Sequence, residues 1–268
     1  MIPTSKWLVL VGLFVIAGPA SVAPTAAQGL MQHVDMTSPE MTSAEMTRLD
    51  VAAALAAATP VQPADFTGKR LSGLDLSGLD LSGVTLRGAR LNRTKLRDAK
   101  LDRAILDQAW LVEADLSRAS LKSSSVFAAQ MQRATLDGAD LSGARITADL
   151  TAASLVGAAL DGANLGADMK NQSMGLMRAV LRSSNLERAS LRGTDLSRVD
   201  LEFASLKNAD LSDLRGASLG GAMLADVIIA GADFLGADLA STRLVAPIGL
   251  DAAKNFDKTQ NIDRLLRE

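Results

Sequence analysis

The chain has 268 residues, and its 28 basic and 30 acidic side chains give a formal net charge of -2 at pH 7. This balance gives no reason to expect strong attraction to nucleic acid or to an anionic membrane surface. Cysteine is absent, which excludes disulfides, thiolate metal sites and cysteine nucleophiles.

The first residues have the features of a secretory signal. Lys6 provides the positive start, residues 7–17 form an apolar run, and small residues follow. Thr25 and Ala27 occupy the small-residue positions of the best processing site, so we expect a signal peptide of residues 1–27. The run is too short to span a bilayer, and an uncleaved anchor is the alternative reading. We therefore expect export to the periplasm, or else secretion, with no integral membrane span after processing.

Residues 28–63 are expected to form a methionine-rich linker and an N-terminal cap helix. Methionine recurs there every five residues, and His33, the single histidine, lies among these methionines. Thioether sulfur can bind copper(I), but a degenerate repeat or a mobile linker is the favoured explanation of the spacing, and we expect no cofactor or metal. His33 lacks a rigid partner and is not expected to act as a general base. Thr42 and Glu45 match a capping box before the alanine-rich run 46–58.

From Phe66 onward a large apolar residue returns at every fifth position, with a small residue two positions before most of them. The inward series is Phe66, Leu71, Leu76, Leu81, Leu86, Leu91, Leu96, Leu101, Leu106, Leu111, Leu116, Leu121, Val126, Met131, Leu136, Leu141 and Ile146. A five-residue period spreads side chains around an α-helix, and it places them on alternate faces of a continuous strand. Only short extended pieces separated by turns bring every apolar residue inward. The period therefore indicates a β-solenoid.

The repeated units resemble the consensus of the pentapeptide-repeat family. They include ADLSR at 114–118, ADLSG at 139–143 and ANLGA at 163–167, within an array that covers residues 64–246. This resemblance implies an all-β fold, a right-handed quadrilateral β-helix with four units and twenty residues per coil. About nine coils are expected, with short helical caps. The register slips after Ile146, breaks across 166–175 and shifts again before Leu214, which divides the array into three blocks.

Outward charges offer an independent check, because residues twenty positions apart should then stack. Opposite charges do alternate in this way. The expected columns are Asp75, Lys95 and Asp115; Arg93, Glu113 and Arg133; Asp80 and Lys100; Arg87 and Asp107; Asp98 and Arg118; and Asp102 and Lys122. The basic residues between 87 and 103 therefore find carboxylates one coil away, and we expect no nucleic-acid partner.

Strand edges at the ends of a solenoid invite association unless they are covered. Residues 247–268 are expected to form a C-terminal cap or tail, since Ile262, Leu265 and Leu266 fall at helical spacing. Either terminal segment could mediate a homodimer, as C-terminal segments do in some members of the family.

A partner-binding surface is expected where apolar residues point outward. Ile105 and Trp110 precede inward residues, whereas Val112 and Phe127 follow them. An exposed apolar cluster in a polar shell commonly marks a partner site. The alternative for Trp110 is simple stacking on Arg90, one coil away.

No phosphate loop, zinc signature or nucleophile elbow is present in the sequence, so no catalytic residue is expected. The first hypothesis is a non-catalytic exported protein that acts as an interaction or structural scaffold for a protein partner. A second follows from the resemblance, since some pentapeptide-repeat proteins mimic DNA and bind gyrase, a topoisomerase. That role needs a strongly negative surface, which this composition does not supply. A polysaccharide-acting β-helix enzyme is the third.

Overall fold

The computed structural model describes residues 34–59, 61–167, 178–196, 198–211, 214–217 and 219–267. The expected signal peptide and His33 lie outside the described residues, as do most of the residues in the register break at 166–175. No helix in the described part of the chain has the length and apolar character needed to cross a bilayer.

Regular elements are short. The helices are α1 (Pro39–Thr42) and α2 (Arg48–Ala57), and three 3-10 helices follow near the C-terminus at Leu250–Ala252, Phe256–Lys258 and Ile262–Arg264. The strands are β1 (Ser125–Gln130), β2 (Arg145–Asp149), β3 (Ser190–Leu191), β4 (Asp210–Leu211), β5 (Met223–Ala225), β6 (Arg243–Val245) and β7 (Leu266–Arg267). β1 pairs with β2, β3 with β4, and β6 with both β5 and β7, all in parallel.

Most of the array is held by single parallel bridges between residues twenty positions apart. The bridges form four columns, which begin at Asp65, Arg70, Asp75 and Asp80. The fourth column continues through Lys100, Ser120, Asp140, Ala159, Ser190, Asp210, Ile228 and Ile248. We call the stretch of chain between two neighbouring members of a column a coil. A five-residue unit leaves room for only a short extended piece before each turn, which is why strands are so short. The twenty-residue repeat expected from the sequence is confirmed.

The inward series forms the core. Leu91, Leu96 and Leu101 are fully buried, and so are Ala99 and Ala104 two positions before inward residues. Complete burial of one such leucine stabilises the fold by roughly 1.5–3 kcal/mol. A small residue is needed two positions before each inward residue because its side chain also lies inside, where the chain turns towards the next unit.

The second residue after most inward residues adopts a left-handed backbone, whether or not it is glycine; Ala148, which lies in β2, is an exception. Gly88 has φ 61°, and Arg103 has φ 59°. Two hydrogen bonds hold the corner at Arg103: its N–H donates to Lys122 O at 2.8 Å, and the N–H of Ala104 donates to Leu101 O at 3.0 Å. A left-handed conformation costs a non-glycine residue roughly 1–2 kcal/mol, which these bonds offset.

The register changes fall where the sequence places them. Gln130 pairs with Asp149 across a shortened coil, and Asp149 pairs with Val180 across a lengthened one. The N–H of Ala179 donates to Leu165 O at 3.1 Å, the same bond that closes an ordinary corner. Ala179 therefore closes the corner that follows Leu165, in the place of the residue three positions after it.

The N-terminal helix begins later than the sequence predicts. Its capping box consists of Thr47 and Asp50: the Asp50 N–H donates to Thr47 Oγ1 at 3.2 Å, and the Thr47 N–H donates to Asp50 Oδ2 at 2.8 Å. The prediction of a capping box at Thr42 and Glu45 was wrong. Thr42 ends α1 instead, and the Glu45 N–H donates to Arg70 O at 2.9 Å on the first coil.

The C-terminal segment, which the sequence predicts as a cap or tail, pairs with the array. Lys254 bridges Asp233, Gln260 bridges Asp238, and β7 pairs with β6, so the chain continues as one more coil beyond residue 246. Its extra residues form the three 3-10 helices between the bridged positions. The ring of Phe256 packs edge-on against Phe234, with the ring centroids 5.1 Å apart, which ties this coil to the core.

Candidate interaction surface

Three of the four apolar residues proposed for partner binding are partly exposed. Ile105 bridges Thr85 and Ser125 in the column of Asp65, and Trp110 bridges Arg90 and Gln130 in the column of Arg70. Ile105, Trp110 and Phe127 are all half-buried. These three residues are named the aromatic surface.

Phe127 lies in β1 and pairs with Thr147 of β2. The register between the two strands shifts after Phe127, and the next pair is Gln130 with Asp149. Its N–H donates to Asp107 Oδ1 at 3.2 Å, which fixes the backbone to the preceding coil. The guanidinium carbon of Arg145 lies 4.9 Å from the centre of the Phe127 ring, within the range of a cation–π contact. The ring therefore has one side covered by a cation, and the residue is only partly exposed.

Val112 does not belong to this surface. It is buried, with 4% of its surface exposed, although the sequence predicts an outward position. Asn92, one coil away in the same column, is buried too. The N–H of Val112 donates to Asn92 Oδ1 at 3.0 Å, and Asn92 Nδ2 donates to Met41 O at 3.1 Å. The chain around Met41 thus lies against the face that carries Val112, a long-range contact that the repeat pattern does not encode.

Simple stacking of Trp110 on Arg90 is not the arrangement found. The two residues are bridged, but Arg90 Nη1 donates to Gly68 O at 3.2 Å on the preceding coil. In the described part of the chain, the cation–π contact is the one between Arg145 and Phe127.

Charged columns flank the aromatic surface, and most form as predicted. Glu113 Oε2 accepts from Arg93 Nε at 2.7 Å and Glu113 Oε1 from Arg133 Nη2 at 2.7 Å. These hydrogen bonds hold the pKa of the Glu113 carboxyl below its ordinary value. Arg118 binds both carboxylate oxygens of Asp98, at 2.8 and 2.7 Å, which likewise lowers the pKa of Asp98.

Two predicted ion pairs have different partners. Asp115 pairs with Arg97 rather than with Lys95. Lys122 Nζ lies 2.9 Å from Asp140 Oδ2, whereas only the Lys122 backbone N–H contacts Asp102, at 3.1 Å from Oδ1. The Asp102 carboxylate is already held by the Ser120 hydroxyl at 2.5 Å. The flexible lysine therefore reaches the aspartate in a neighbouring column.

The sequence reading missed a recurring carboxylate contact. An aspartate that follows an inward residue accepts from a serine hydroxyl on the next coil and from the N–H two residues beyond that serine. The four cases are Asp102 with Ser120 and Lys122, Asp107 with Ser125 and Phe127, Asp137 with Ser154 and Val156, and Asp161 with Ser190 and Arg192. A serine lies eighteen positions after Asp102 and after Asp107, a spacing that a search of the regular part of the array could have found, whereas the register changes alter the offset to 17 at Asp137 and 29 at Asp161.

These contacts limit the chemistry of the wall, the name used from here on for the outer surface of the array that carries these columns. A general acid near neutral pH needs a raised carboxyl pKa, but the pKa values of Glu113, Asp98, Asp115 and Asp140 are all lowered. Among the described residues, no group of histidine, aspartate and glutamate side chains has the arrangement of a metal site. The arrangement is suited to presenting a rigid surface.

Further apolar residues are exposed near the C-terminus, and the sequence reading did not single them out. Phe203 is 68% exposed, and its ring lies so close to Gly221 that a Cβ there would be 2.7 Å from ring carbon Cε1. Ile228 and Ile248 are bridged and partly exposed, at 37% and 54%. Ile228 and Ile248 lie twenty positions apart, so a comparison of residues at that spacing in the sequence could have found them.

A family model described as pentapeptide repeats matches the chain in eight copies, at residues 64–103, 128–166, 176–213 and 212–244, together more than half of its length. No curated protein matches in sequence. Among solved structures, HetL of the cyanobacterium Nostoc sp. strain PCC 7120, a pentapeptide repeat protein involved in heterocyst differentiation regulation, is 28% identical. The match covers 81% of this chain and 95% of HetL, with a TM-score of 0.36.

Two further matches are more distant. QnrB1, a plasmid-mediated fluoroquinolone resistance protein, is 20% identical over 76% of this chain and 84% of its own, with a TM-score of 0.38. A pentapeptide repeat protein of the Arabidopsis thaliana thylakoid lumen is 24% identical over 64% of this chain and 68% of its own, with a TM-score of 0.15.

Proposed function

Because the chain belongs to the pentapeptide-repeat family, we propose that it is a non-catalytic scaffold that docks a protein partner on the aromatic surface. The observation that carries this proposal is the position of Trp110 and Phe127. They occupy outward positions that other coils fill mostly with charged or hydroxyl residues, on a wall whose carboxylates are already hydrogen-bonded. Aromatic side chains provide large apolar area and dominate many interfaces.

The rigidity of the wall supports this role. Columns of parallel bridges and fully buried leucines fix the backbone beneath Ile105, Trp110 and Phe127, so little ordering entropy is lost when a partner binds. We further propose that the four columns close as a right-handed quadrilateral β-helix, the form that the family resemblance implies.

Export to the periplasm is part of the proposal and is supported by the sequence of residues 1–27 alone. Fractionation of cells that express the full chain tests it: the protein is expected in the periplasmic fraction, shortened by the signal peptide. Recovery of the full-length chain in the cytoplasm would contradict export. A homodimer through a terminal cap also stays a prediction, which sedimentation of the wild-type chain tests.

Docking on the aromatic surface is tested by comparing variants in a pull-down from periplasmic extract. Trp110→Ala should weaken capture of the partner by about 2 kcal/mol or more if the residue is a binding hot spot. Phe203→Ala is the matched control, since it removes an exposed aromatic side chain far along the array and should leave capture unchanged. Unchanged capture by Trp110→Ala, or equal loss in both variants, would contradict the assignment.

Thermal unfolding separates binding from folding. Trp110→Ala removes a half-buried side chain, so its melting temperature should stay near that of the wild type. Leu111→Ala should instead cost roughly 2–5 kcal/mol of stability, because the leucine is fully buried and its removal leaves a cavity.

The gyrase-binding alternative finds little support in the surface charges. Arg93 and Arg133 neutralise Glu113, and Arg118 neutralises Asp98, so this part of the wall is not a continuous acidic surface. A supercoiling assay with the processed protein tests the alternative; inhibition of gyrase or its protection from inhibitors would overturn our ranking.

A further inference from the structure

In every coil, the same backbone carbonyl groups face the preceding coil and accept hydrogen bonds from its N–H groups. In the wall, the N–H of Leu76 donates to Lys95 O at 2.8 Å, and the N–H of Gly78 donates to Arg97 O at 2.8 Å. In the first coil, Asp75 O and Ser77 O occupy the positions of these two acceptors. Among the described residues, no parallel bridge joins Asp75 to an earlier coil that could supply the matching N–H groups. The start of the array is therefore an edge with unpaired acceptors.

The N-terminal segment fills this edge with side-chain groups. Arg48 Nη1 donates to Asp75 O at 2.6 Å, and Arg48 Nη2 donates to Ser77 O at 3.0 Å. In the neighbouring column, the Glu45 N–H donates to Arg70 O at 2.9 Å, and the Arg70 N–H donates to Glu45 Oε1 at 3.3 Å. One guanidinium and one glutamate thus take the place of a preceding coil in two columns.

The cap combines apolar packing with exposed polar contacts. Val51 of α2 is fully buried, whereas Leu49 is 79% exposed and Arg48 keeps 45% of its side chain exposed. Ion pairs of Glu45 with Lys69 and Arg70, at 3.5 and 3.6 Å, are also partly exposed. Exposed ion pairs contribute only about 0–1 kcal/mol each, so the apolar contacts of Met46, Val51 and Leu55 with the core hold most of the cap.

The other end of the array keeps the register of the wall. Lys254, Gln260 and Leu266 hold parallel bridges to the preceding coil, and the extra residues of this last coil lie in 3-10 helices between them. The N–H of Leu266 donates inward to Thr242 O at 2.9 Å. Backbone N–H groups alternate in direction along a strand, so the N–H of Arg267 points away from the array. The last coil therefore offers a donor at the position where the first coil needs one.

We propose that the N-terminal cap blocks head-to-tail association between copies of this chain. When the cap opens, the Arg267 N–H of one copy donates to Asp75 O of a second copy, in the place of Arg48. Lys254 then falls in the column of Asp65 of the second copy, and these opposite charges stack as they do within the wall. The contact joins two different ends and does not close, so it produces open linear chains.

Cap-opening variants of the full chain test this proposal. Arg48→Ala removes both donors to the edge, and Val51→Asp places a charge in the buried contact of α2. For each variant, the weight-average mass in sedimentation velocity should rise beyond that of a dimer over a concentration series, because association into open chains follows mass action. The wild type should not exceed the mass of a dimer, and electron microscopy should show unbranched chains for the variants only.

Arg267→Pro tests the other side of the proposed junction. It removes the outward N–H without removing a bond within the chain, and proline is tolerated on an edge whose N–H faces solvent. Combined with Arg48→Ala, it should return the mass to the wild-type value. If assembly persists in the double variant, the junction is not the one proposed.

Arg97→Ala is the matched control, because this wall arginine has 55% of its side chain exposed, pairs with Asp115 and lies away from both ends. It should stay at the wild-type mass. Circular dichroism melts identify any variant that unfolds; should Val51→Asp do so, the half-exposed Arg48→Ala still decides the question. A folded Arg48→Ala chain that keeps the wild-type mass at every concentration would overturn the proposal.

Discussion

Asp107 Oδ1 accepts a hydrogen bond from the Ser125 hydroxyl on the next coil at 2.6 Å, and the same oxygen accepts the N–H of Phe127 at 3.2 Å. The carboxylate thereby fixes the backbone beneath the aromatic surface. Because three other aspartates repeat this arrangement, register between coils depends on side-chain contacts as well as on the backbone bridges.

The Asp107 contact is expected to couple two residues energetically. Asp107→Ala should destabilise the fold by about 1–3 kcal/mol, because hydrogen bonds to a charged group are lost and the Phe127 N–H loses its acceptor. Ser125→Ala should cost less, since Asp107 keeps Phe127 and Arg87. Chemical denaturation of both single variants and the double variant measures the coupling, which should be about 0.5 kcal/mol or more. Strictly additive costs would show that the contact does not contribute.

Corner glycines should differ in cost according to what surrounds them. Gly88 has φ 61° and no atom within 4 Å of a Cβ, so Gly88→Ala should cost only the left-handed strain of about 1 kcal/mol. Gly249 has φ 80°, and a Cβ there would lie 2.5 Å from the Cβ of Ala230. Gly249→Ala should therefore cost about 1–3 kcal/mol more through overpacking. Melting temperatures of the two variants test the difference, and equal losses would contradict it.

Ion pairs of the same chemistry should differ in cost according to burial. Arg182 lies 2.7 Å from Asp200, whose side chain is 2% exposed, whereas Arg118 binds Asp98 with both side chains more than half exposed. Arg182→Ala leaves a buried carboxylate with Arg178 at 3.9 Å and should cost about 3 kcal/mol or more. Arg118→Ala should cost about 1 kcal/mol or less. Denaturation midpoints of the two variants provide the comparison, and a larger loss for Arg118→Ala would refute it.

Stability should decrease in acid. Hydrogen bonds from Arg93 and Arg133 lower the pKa of Glu113 below 4.5, and those from Arg118 lower the pKa of Asp98 below 3.8. Since these pKa values are lower in the folded state, the stabilisation is complete above the unfolded values and is lost as the pH falls through the folded ones. The melting temperature should be constant near neutrality and fall below about pH 4.5. In Glu113→Gln the fall should be shallower; an identical acid profile would show that Glu113 does not contribute.

The sequence by itself determined the five-residue unit, the twenty-residue coil and most of the charged columns. The physical reason is that each inward position admits only an apolar side chain, so the period of Leu91, Leu96 and Leu101 fixes which residues point outward. Stacking one coil apart then pairs Arg93 with Glu113 and Asp98 with Arg118 without further information.

Tertiary structure alone decided contacts that leave a single column or join distant parts of the chain. Lys122 pairs with Asp140 rather than with Asp102, because its long side chain reaches across columns and Ser120 already binds Asp102. Val112 is buried because Asn92 ties its face to Met41, which no repeat unit contains. The cap helix begins after Thr47 because Glu45 hydrogen-bonds to the open edge of the first coil. That edge exists only once the array has folded.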